Sequence, residues 1–255
     1  MRLRPWLIAL AAGAGLSPAF SGVPAGAVTC RNAEFSGNRY ALCQVDMTQE
    51  DLRLFLYDAG GAPYGEFSAI DARLAGEGKV LAFAMNAGMY HEDRAPVGHY
   101  VEDGKEVMRL IPNAGPGNFG LLPNGVFCLG DGSARVIETL RFQDEAPACR
   151  YATQSGPMLV IDGELHPRFL PDSTSRYIRN GVGTSDDGKT ATFLISRNPV
   201  TFHEFGKVFR DDLGLNQALF FDGNISRLYA PELGRNDWGR AMGPIVGVVV
   251  DREGD

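Results

Sequence analysis

The chain has 255 residues, 24 of them Lys or Arg and 31 Asp or Glu, for a formal charge of −7. That length buries a full core without help from metals or disulfides, and 44% hydrophobic with 22% charged residues excludes wholesale disorder. Net acidity makes a poor non-specific nucleic-acid binder, because phosphate contact needs concentrated Lys and Arg. A small phosphate-bearing ligand would have to be met by a local cationic site.

The predicted elements begin with a leader over residues 1–27. Arg2 and Arg4 form a positive start, Trp6 to Leu16 is apolar, and Ala25-Gly26-Ala27 fits small-x-small cleavage, the pattern of a secretory signal peptide. The apolar run is far short of the roughly 20 residues that span a bilayer. The expectation is a periplasmic or secreted protein with no stable membrane insertion. Removing the leader changes the formal charge from −7 to −9. Export permits disulfides. Cys30, Cys43, Cys128 and Cys149 allow three pairings; the sequence-local pairs Cys30–Cys43 and Cys128–Cys149, each stapling a strand-turn-strand stretch, are favoured. A four-thiolate zinc site is disfavoured because no C-x-x-C pair supplies adjacent ligands.

Short apolar runs then follow closely. They are 39–48, 52–58, 79–85, 99–102, 107–111, 126–129, 135–140, 158–161, 190–196, 218–221, 225–229 and 244–250. Seven Asp-Gly or Asn-Gly pairs punctuate them, at 103, 124, 131, 162, 180, 187 and 222, and such pairs suit tight hairpins. A short helix is predicted over 68–75, with Phe67, Ile70 and Leu74 on one face. A second begins at the capping box Thr201-Phe-His-Glu204, carries Phe202, Phe205, Val208, Phe209 and Leu213 at helical spacing, and closes at Gly214. Its Phe-rich face should lie on a sheet. The expectation is one α+β domain over 28–255, with hairpin-rich, largely antiparallel sheets and a few packed helices. Residues 28–60 read alternatively as an N-terminal hairpin appendage.

No P-loop, dinucleotide glycine fingerprint, G-x-S-x-G or H-E-x-x-H is present. His91-Glu92-Asp93 with His99 has metal-capable side chains, but the spacing matches no standard ligand set. Polar residues beside glycine at the ends of apolar runs stand out instead. Asn86 ends one run, with Gly88 allowing close backbone approach and Arg94 following; an Asn-capped turn is the structural alternative. Thr153, Gln154 and Ser155 cluster just before a strand, where nothing nearby marks a base to activate Ser155 as a nucleophile. Arg176 and Arg179 beside glycines have the fork geometry to clamp an anion, or form a solvated surface pair. Asp222 ends the run Ala218–Phe221, either pinned at the edge of a buried sheet for catalysis or in a plain hairpin turn.

In order, these four segments resemble the bacterial phosphodiester glycosidase family, related to the lysosomal "uncovering" enzyme that removes N-acetylglucosamine from its phosphodiester link to mannose 6-phosphate. Asn86-Ala-Gly-Met-Tyr90 resembles the family's Asn-Gly-Gly-Phe-Phe-like element, and Gly156-Pro-Met-Leu-Val160 its strand-entering Gly-Pro-Leu-Val. Arg179-Asn-Gly-Val-Gly183 is similar to its Arg-x-x-x-Gly, and Phe221-Asp-Gly-Asn-Ile-Ser226 to its Leu-Asp-Gly-Gly-Ser, with Asn224-Ile225 in place of a glycine. Coverage runs from about residue 80 to 250.

The resemblance implies a hydrolase that cleaves the bond between an anomeric carbon and a phosphodiester, acting on a small glycan or sugar phosphate without a cofactor. A phosphodiester is already a good leaving group, so the larger demands are a clamp on phosphate and a carboxylate near the anomeric centre. By the resemblance, Asp222 is that carboxylate and Arg179 the clamp, assisted by Arg94 or Arg176. Asn86, Ser155 and Ser226 orient sugar or phosphate. His91 is the proton-donor candidate, since imidazole changes charge near neutral pH. Two alternatives stand beside this reading: a non-catalytic module that binds anionic glycan or cell-wall polymer, and a metal-dependent phosphodiesterase built on His91, Asp93, His99 and Asp222.

Overall fold

The computed structural model describes residues 28–223 and 225–252; the predicted signal peptide lies outside them. The first strands are β1 (Thr29–Phe35), β2 (Asn38–Asp46), β3 (Asp51–Phe55), β4 (Lys79–Asn86), β5 (Tyr100–Glu102) and β6 (Lys105–Met108). Then come β7 (Gly125–Gly130), β8 (Ser133–Glu138), β9 (Tyr151–Ser155), β10 (Met158–Ile161), β11 (Glu164–Leu165) and β12 (Asn180–Thr184). The last are β13 (Thr190–Ser196), β14 (Gln217–Asp222), β15 (Leu228–Ala230), β16 (Arg235–Asn236) and β17 (Ile245–Asp251). Three helices interrupt them: α1 (Phe67–Ala75), α2 (Thr139–Glu145) and α3 (Phe202–Lys207), the last continuing as a π-helical turn over Val208–Asp212.

The strands form three antiparallel sheets. The first runs β1-β2-β13-β12-β14-β10-β11, the second β16-β15-β4-β17-β3, and the third β6-β5-β9-β7-β8. The expected α+β, hairpin-rich architecture is what the molecule has. The hairpin β1–β2 is continuous with the first sheet, since β2 pairs with β13 from Thr190↔Asp46 to Ser196↔Tyr40.

Each sheet turns one face to a shared core and carries a helix on the other. Phe83 of the second sheet, Phe127 of the third and Phe193 of the first meet in that core, with ring centroids 4.9 and 5.9 Å from Phe193. On the outer face of the first sheet, Phe205 and Phe209 of the predicted Phe-rich segment pack on Leu42, Leu194 and Phe220. Phe67, Ile70 and Leu74 of α1 cover Leu81, Ala84 and Ile245 of the second sheet, and Phe142 of α2 covers Val126 and Ala152 of the third. The helix at Thr201 starts as its capping box dictates: Thr201 Oγ1 accepts from Glu204 N at 3.1 Å and Glu204 Oε2 from Thr201 N at 2.9 Å.

Both favoured disulfides are present, Cys30–Cys43 and Cys128–Cys149. Cys30 and Cys43 are direct partners across the β1–β2 hairpin. Cys128 in β7 reaches the segment just before its neighbour β9. Helix α2 and strands β1, β9, β11, β12 and β16 had no predicted apolar run or helix of their own, although the Cys30–Cys43 staple implied a strand-turn-strand at β1–β2.

Candidate active site

The three sheets meet at one set of strand ends. Asn86 closes β4, Asn180 opens β12, Asp222 closes β14 and Ser155 closes β9. All four are tied together by hydrogen bonds, as buried polar groups must be. Asn180 Nδ2 donates to both the backbone and side-chain oxygens of Asn86 at 3.0 Å, and Asn180 Oδ1 accepts from the Asp222 amide at 3.1 Å. Ser155 Oγ donates to Phe221 O at 2.9 Å. Ser226 Oγ donates to Asp222 O at 2.9 Å, and the Arg227 amide donates to Asn86 Oδ1, also at 2.9 Å. The result is a rigid floor under Asp222.

Above it lies a cleft of about 820 Å³. Its walls come from the turn 89–97, the segment 116–119, residues 175–179 at the entry to β12, Phe202 of α3, Asp222 at the end of β14, Ile225 beyond it, and Arg240. Gly88 lets the first wall turn, with φ at 155°, and a Cβ there would sit 2.8 Å from Thr153 Oγ1, an oxygen that itself donates to Ala87 O.

Arg179 is the dominant feature. It is 1% exposed, and its guanidinium carbon stands 3.6 Å from the centre of the Phe202 ring, a cation–π contact. Nε donates to Val200 O at 2.9 Å and one Nη to Ser175 O at 3.1 Å. Among the described residues no carboxylate forms an ion pair with it, and burial lowers its pKa to about 10, which leaves it charged at neutral pH. On another wall, Tyr90 donates to Ala241 O at 3.1 Å. Burial, then the charge of Asp222, pushes its phenol up to about 12, against the opposing charges of Arg94, Arg227 and Arg240. Tyr90 is therefore a neutral donor.

Of the eight residues expected from the sequence, His91, Arg94, Arg179 and Asp222 line this one cleft. Asn86 and Ser155 are fully buried, so the floor beneath the cleft, not its surface, is where they stand; Ser226 joins the same floor. Arg176 is exposed and bound to Glu204 by two hydrogen bonds of 2.7 and 3.0 Å; it is not part of the cleft wall. The metal-site alternative is not assembled. His99 is buried against Phe142 with Nδ1 3.0 Å from Met108 O, and among the described residues no three His, Cys, Asp or Glu side chains converge to hold an ion.

Sequence reasoning missed Tyr90, Tyr177, Phe202 and Arg240 as wall residues, and Asn180 and Arg227 as supports. Arg240 carried a usable signal: an arginine beside glycine in a stretch between strands, the pattern that singled out Arg179.

Residues 79–249 match the family model for phosphodiester glycosidases, which are glycosidase-type hydrolases. The chain belongs to the phosphodiester glycosidase family. It is 35% identical over 185 residues to the uncharacterized protein YigE of Escherichia coli K12, covering 72% of each chain. Its fold is similar to that of the zebrafish N-acetylglucosamine-1-phosphodiester alpha-N-acetylglucosaminidase catalytic domain, auto-inhibited by its pro-peptide, with a TM-score of 0.57 at 11% identity over 87% of this chain and 81% of that one. A hypothetical protein from Synechocystis matches with a TM-score of 0.59 at 13% identity, over 88% of this chain and 62% of its own length. A putative exported protein from Burkholderia pseudomallei matches at 0.52 and 12% identity, over 83% of this chain and 74% of that one.

Proposed function

We propose that this protein is an exported hydrolase that cleaves the bond between a sugar's anomeric carbon and a phosphodiester in envelope-derived glycans. The observation that carries this reading is Arg179. A cation so buried, facing a cleft without a carboxylate partner among the described residues, is costly unless an anion completes it. Asp222 stands on the same cleft, held by Asn180 and Ser226. In the proposed reaction water adds at the anomeric carbon, the carbon–oxygen bond to phosphate breaks, and free sugar and a phosphate monoester leave. Arg179 stabilises the departing phosphate, Asp222 activates water or steadies the oxocarbenium-like transition state, and His91 moves the proton. Arg94 meets a further part of the substrate. Asn86, Ser155 and Ser226 act by holding Asp222 in place rather than by touching sugar, and Arg176 acts, through Glu204, on the capping box of α3. Two disulfides and the leader-like N-terminus support export to an oxidising compartment.

The test is release of free N-acetylglucosamine from a panel of its 1-phosphodiesters, with chelator present. Asp222→Asn and Arg179→Ala should each lower turnover about 10²–10³-fold while the proteins stay folded. Binding without turnover by the native protein would instead support a glycan-binding module. Near-native activity in both variants would remove the assignment.

A further inference from the structure

We propose that the cleft holds a second anion subsite, formed by Arg94 and Arg240 around Tyr90, and that the substrate carries a second acidic group beyond the phosphodiester met by Arg179. This rests on the reading of Arg179 and Asp222 given above and names the substrate class for that site: a glycosyl phosphodiester whose other half bears a carboxylate or phosphate.

The two cationic groups are built from separate parts. Arg179 is surrounded by Phe202, Tyr177, Phe220, Val200 and Ser175. Arg94 instead lies 5.4 Å over the ring of Tyr90. Its backbone sits at φ 73°, in the left-handed region, which is strained for a residue bearing a Cβ. The turn closes through Arg94 N to His91 O at 2.9 Å and His91 N to Ala95 O at 2.8 Å. Glycine would fill that position with less strain, and the arginine uses only part of its fork locally: one Nη donates to Glu92 O at 2.6 Å, which leaves further donors for a ligand in the cleft it lines.

Arg240 reaches the cleft on a segment that is fixed at three points. Tyr90 Oη donates to Ala241 O. Arg227, only 5% exposed, donates to Arg240 O at 3.1 Å and to Asp237 O at 2.7 and 3.1 Å, and pairs with Glu66. At Gly243 a Cβ would lie 2.5 Å from Tyr90 Cγ, so only glycine lets the segment close on the ring. The Arg240 backbone is thus held while its side chain stays exposed at the cleft. Among the described residues neither Arg94 nor Arg240 forms an ion pair, whereas Arg176, outside the cleft, is paired with Glu204. Asp222 lines the same cleft as both groups. A cleft of 820 Å³ is in the upper part of the range of about 300–1,000 Å³ for whole small-molecule sites, with room for more than one sugar phosphate.

Calorimetric titration of the mature protein with glycerol 3-phosphate, 3-phosphoglycerate and glycerol 1,3-bisphosphate tests this. At least one of the two probes with a second acidic group should bind about tenfold more tightly than glycerol 3-phosphate, and the tighter of them identifies that group as carboxylate or phosphate. Arg240→Gln should bring the ratio close to one, and Arg31→Gln, which removes the same charge from β1, should leave it as in the native protein. Equal affinities, binding of none of the probes, or a ratio that survives Arg240→Gln would overturn the second subsite. Sugar release without a preference defeats the subsite alone; a preference without sugar release defeats the hydrolase reading alone.

Discussion

Arg179 separates the demands of folding from those of function. Its charge is desolvated and, among the described residues, paired with no acid, so replacing it by an unbranched apolar chain removes a folding penalty. Val200 O keeps a donor in that variant, since Tyr177 N also bonds it at 3.1 Å. Arg179→Met should therefore melt within a few degrees of the native protein, or above it, while its affinity for glycerol phosphate falls about a hundredfold. Arg179→Lys should fall between, because lysine restores charge but not the planar fork over Phe202. Parallel thermal melts and titrations check both. Two other buried bases act only on stability. His99 and His166 are 7% and 1% exposed, and burial lowers the pKa of each. Unfolded, each takes up a proton near pH 6.5; folded, each resists until lower pH. The unfolded chain thus binds more protons below 6.5, and stability falls with acidification by at most about 1.4 kcal/mol per pH unit per histidine. Urea midpoints at pH 7 and 5.5 should show the loss, and His166→Gln should remove part of it; an unchanged pH dependence in that variant would contradict the assignment.

The element that decides the site is β12, and it was hidden in the sequence. Asn180-Gly-Val-Gly-Thr184 reads as turn material because glycine is depleted in strands. Its glycines serve close approach instead: a Cβ at Gly181 would sit 2.5 Å from Leu219 O, and one at Gly183 2.7 Å from Leu215 Cδ1. The same dipeptide signal thus had two meanings. Asp103-Gly104 and Asp162-Gly163 are hairpin turns with positive φ at both residues, as the pattern predicts, whereas Asn180-Gly181 opens a buried strand and Asp222-Gly223 ends one. Strand β9 was hidden for a related reason, since Thr153, Gln154 and Ser155 are polar yet wholly buried, each satisfied by partners distant in sequence. Helix α2 starts on Glu138, whose carboxylate accepts from Leu140 N and Arg141 N, and Glu is not a usual cap. Apolar periodicity and the capping box made the other two helices legible, and motif order made Arg179 and Asp222 legible. The floor beneath them depends on pairings between strands 42 to 94 residues apart. Asn180→Ala should test it: with Asn86 left short of a donor the protein should lose about 1–3 kcal/mol, and release of Asp222 should lower kcat more than it changes KM. A variant that loses stability with kcat intact would make Asn180 purely structural.

At the scale of the whole molecule, the sheets are held to one another chiefly by apolar packing. Each disulfide joins parts of one sheet, Cys30–Cys43 within β1–β2 and Cys128–Cys149 between β7 and the approach to β9, so neither crosses between sheets. Phe193 does: it contributes from the first sheet and touches Phe83 of the second and Phe127 of the third, which in turn meets Phe221 at 6.1 Å. We propose that residues 28–255 fold as one domain with this cluster as its keystone. Phe193→Ala should then cost about 3–5 kcal/mol, and the loss should appear at the same denaturant concentration in far-UV circular dichroism, near-UV circular dichroism and titratable substrate binding. Coincident transitions are what a single cooperative unit requires. Should the binding signal disappear well before the far-UV signal, the sheets would be separable units. The cleft lies where strand ends from all three sheets converge. Arg179, at the entry to β12, and Asp222, at the end of β14, stand on neighbouring strands of the first sheet. Tyr90, His91 and Arg94 instead follow β4 of the second, so the cleft keeps its shape only while those sheets remain docked. The net negative charge, −7 for the whole chain and −9 over residues 28–255, also acts at this scale. It repels an anionic substrate over a distance that shrinks from about 30 Å to about 8 Å between 0.01 and 0.15 M salt, whereas a guanidinium buried under Phe202 is screened little. Moderate salt should therefore speed the encounter while leaving the Arg179 contact intact, so kcat/KM for a monoanionic diester should rise with ionic strength over that range; a steep fall would mean that exposed cations at the rim, not the buried arginine, carry recognition.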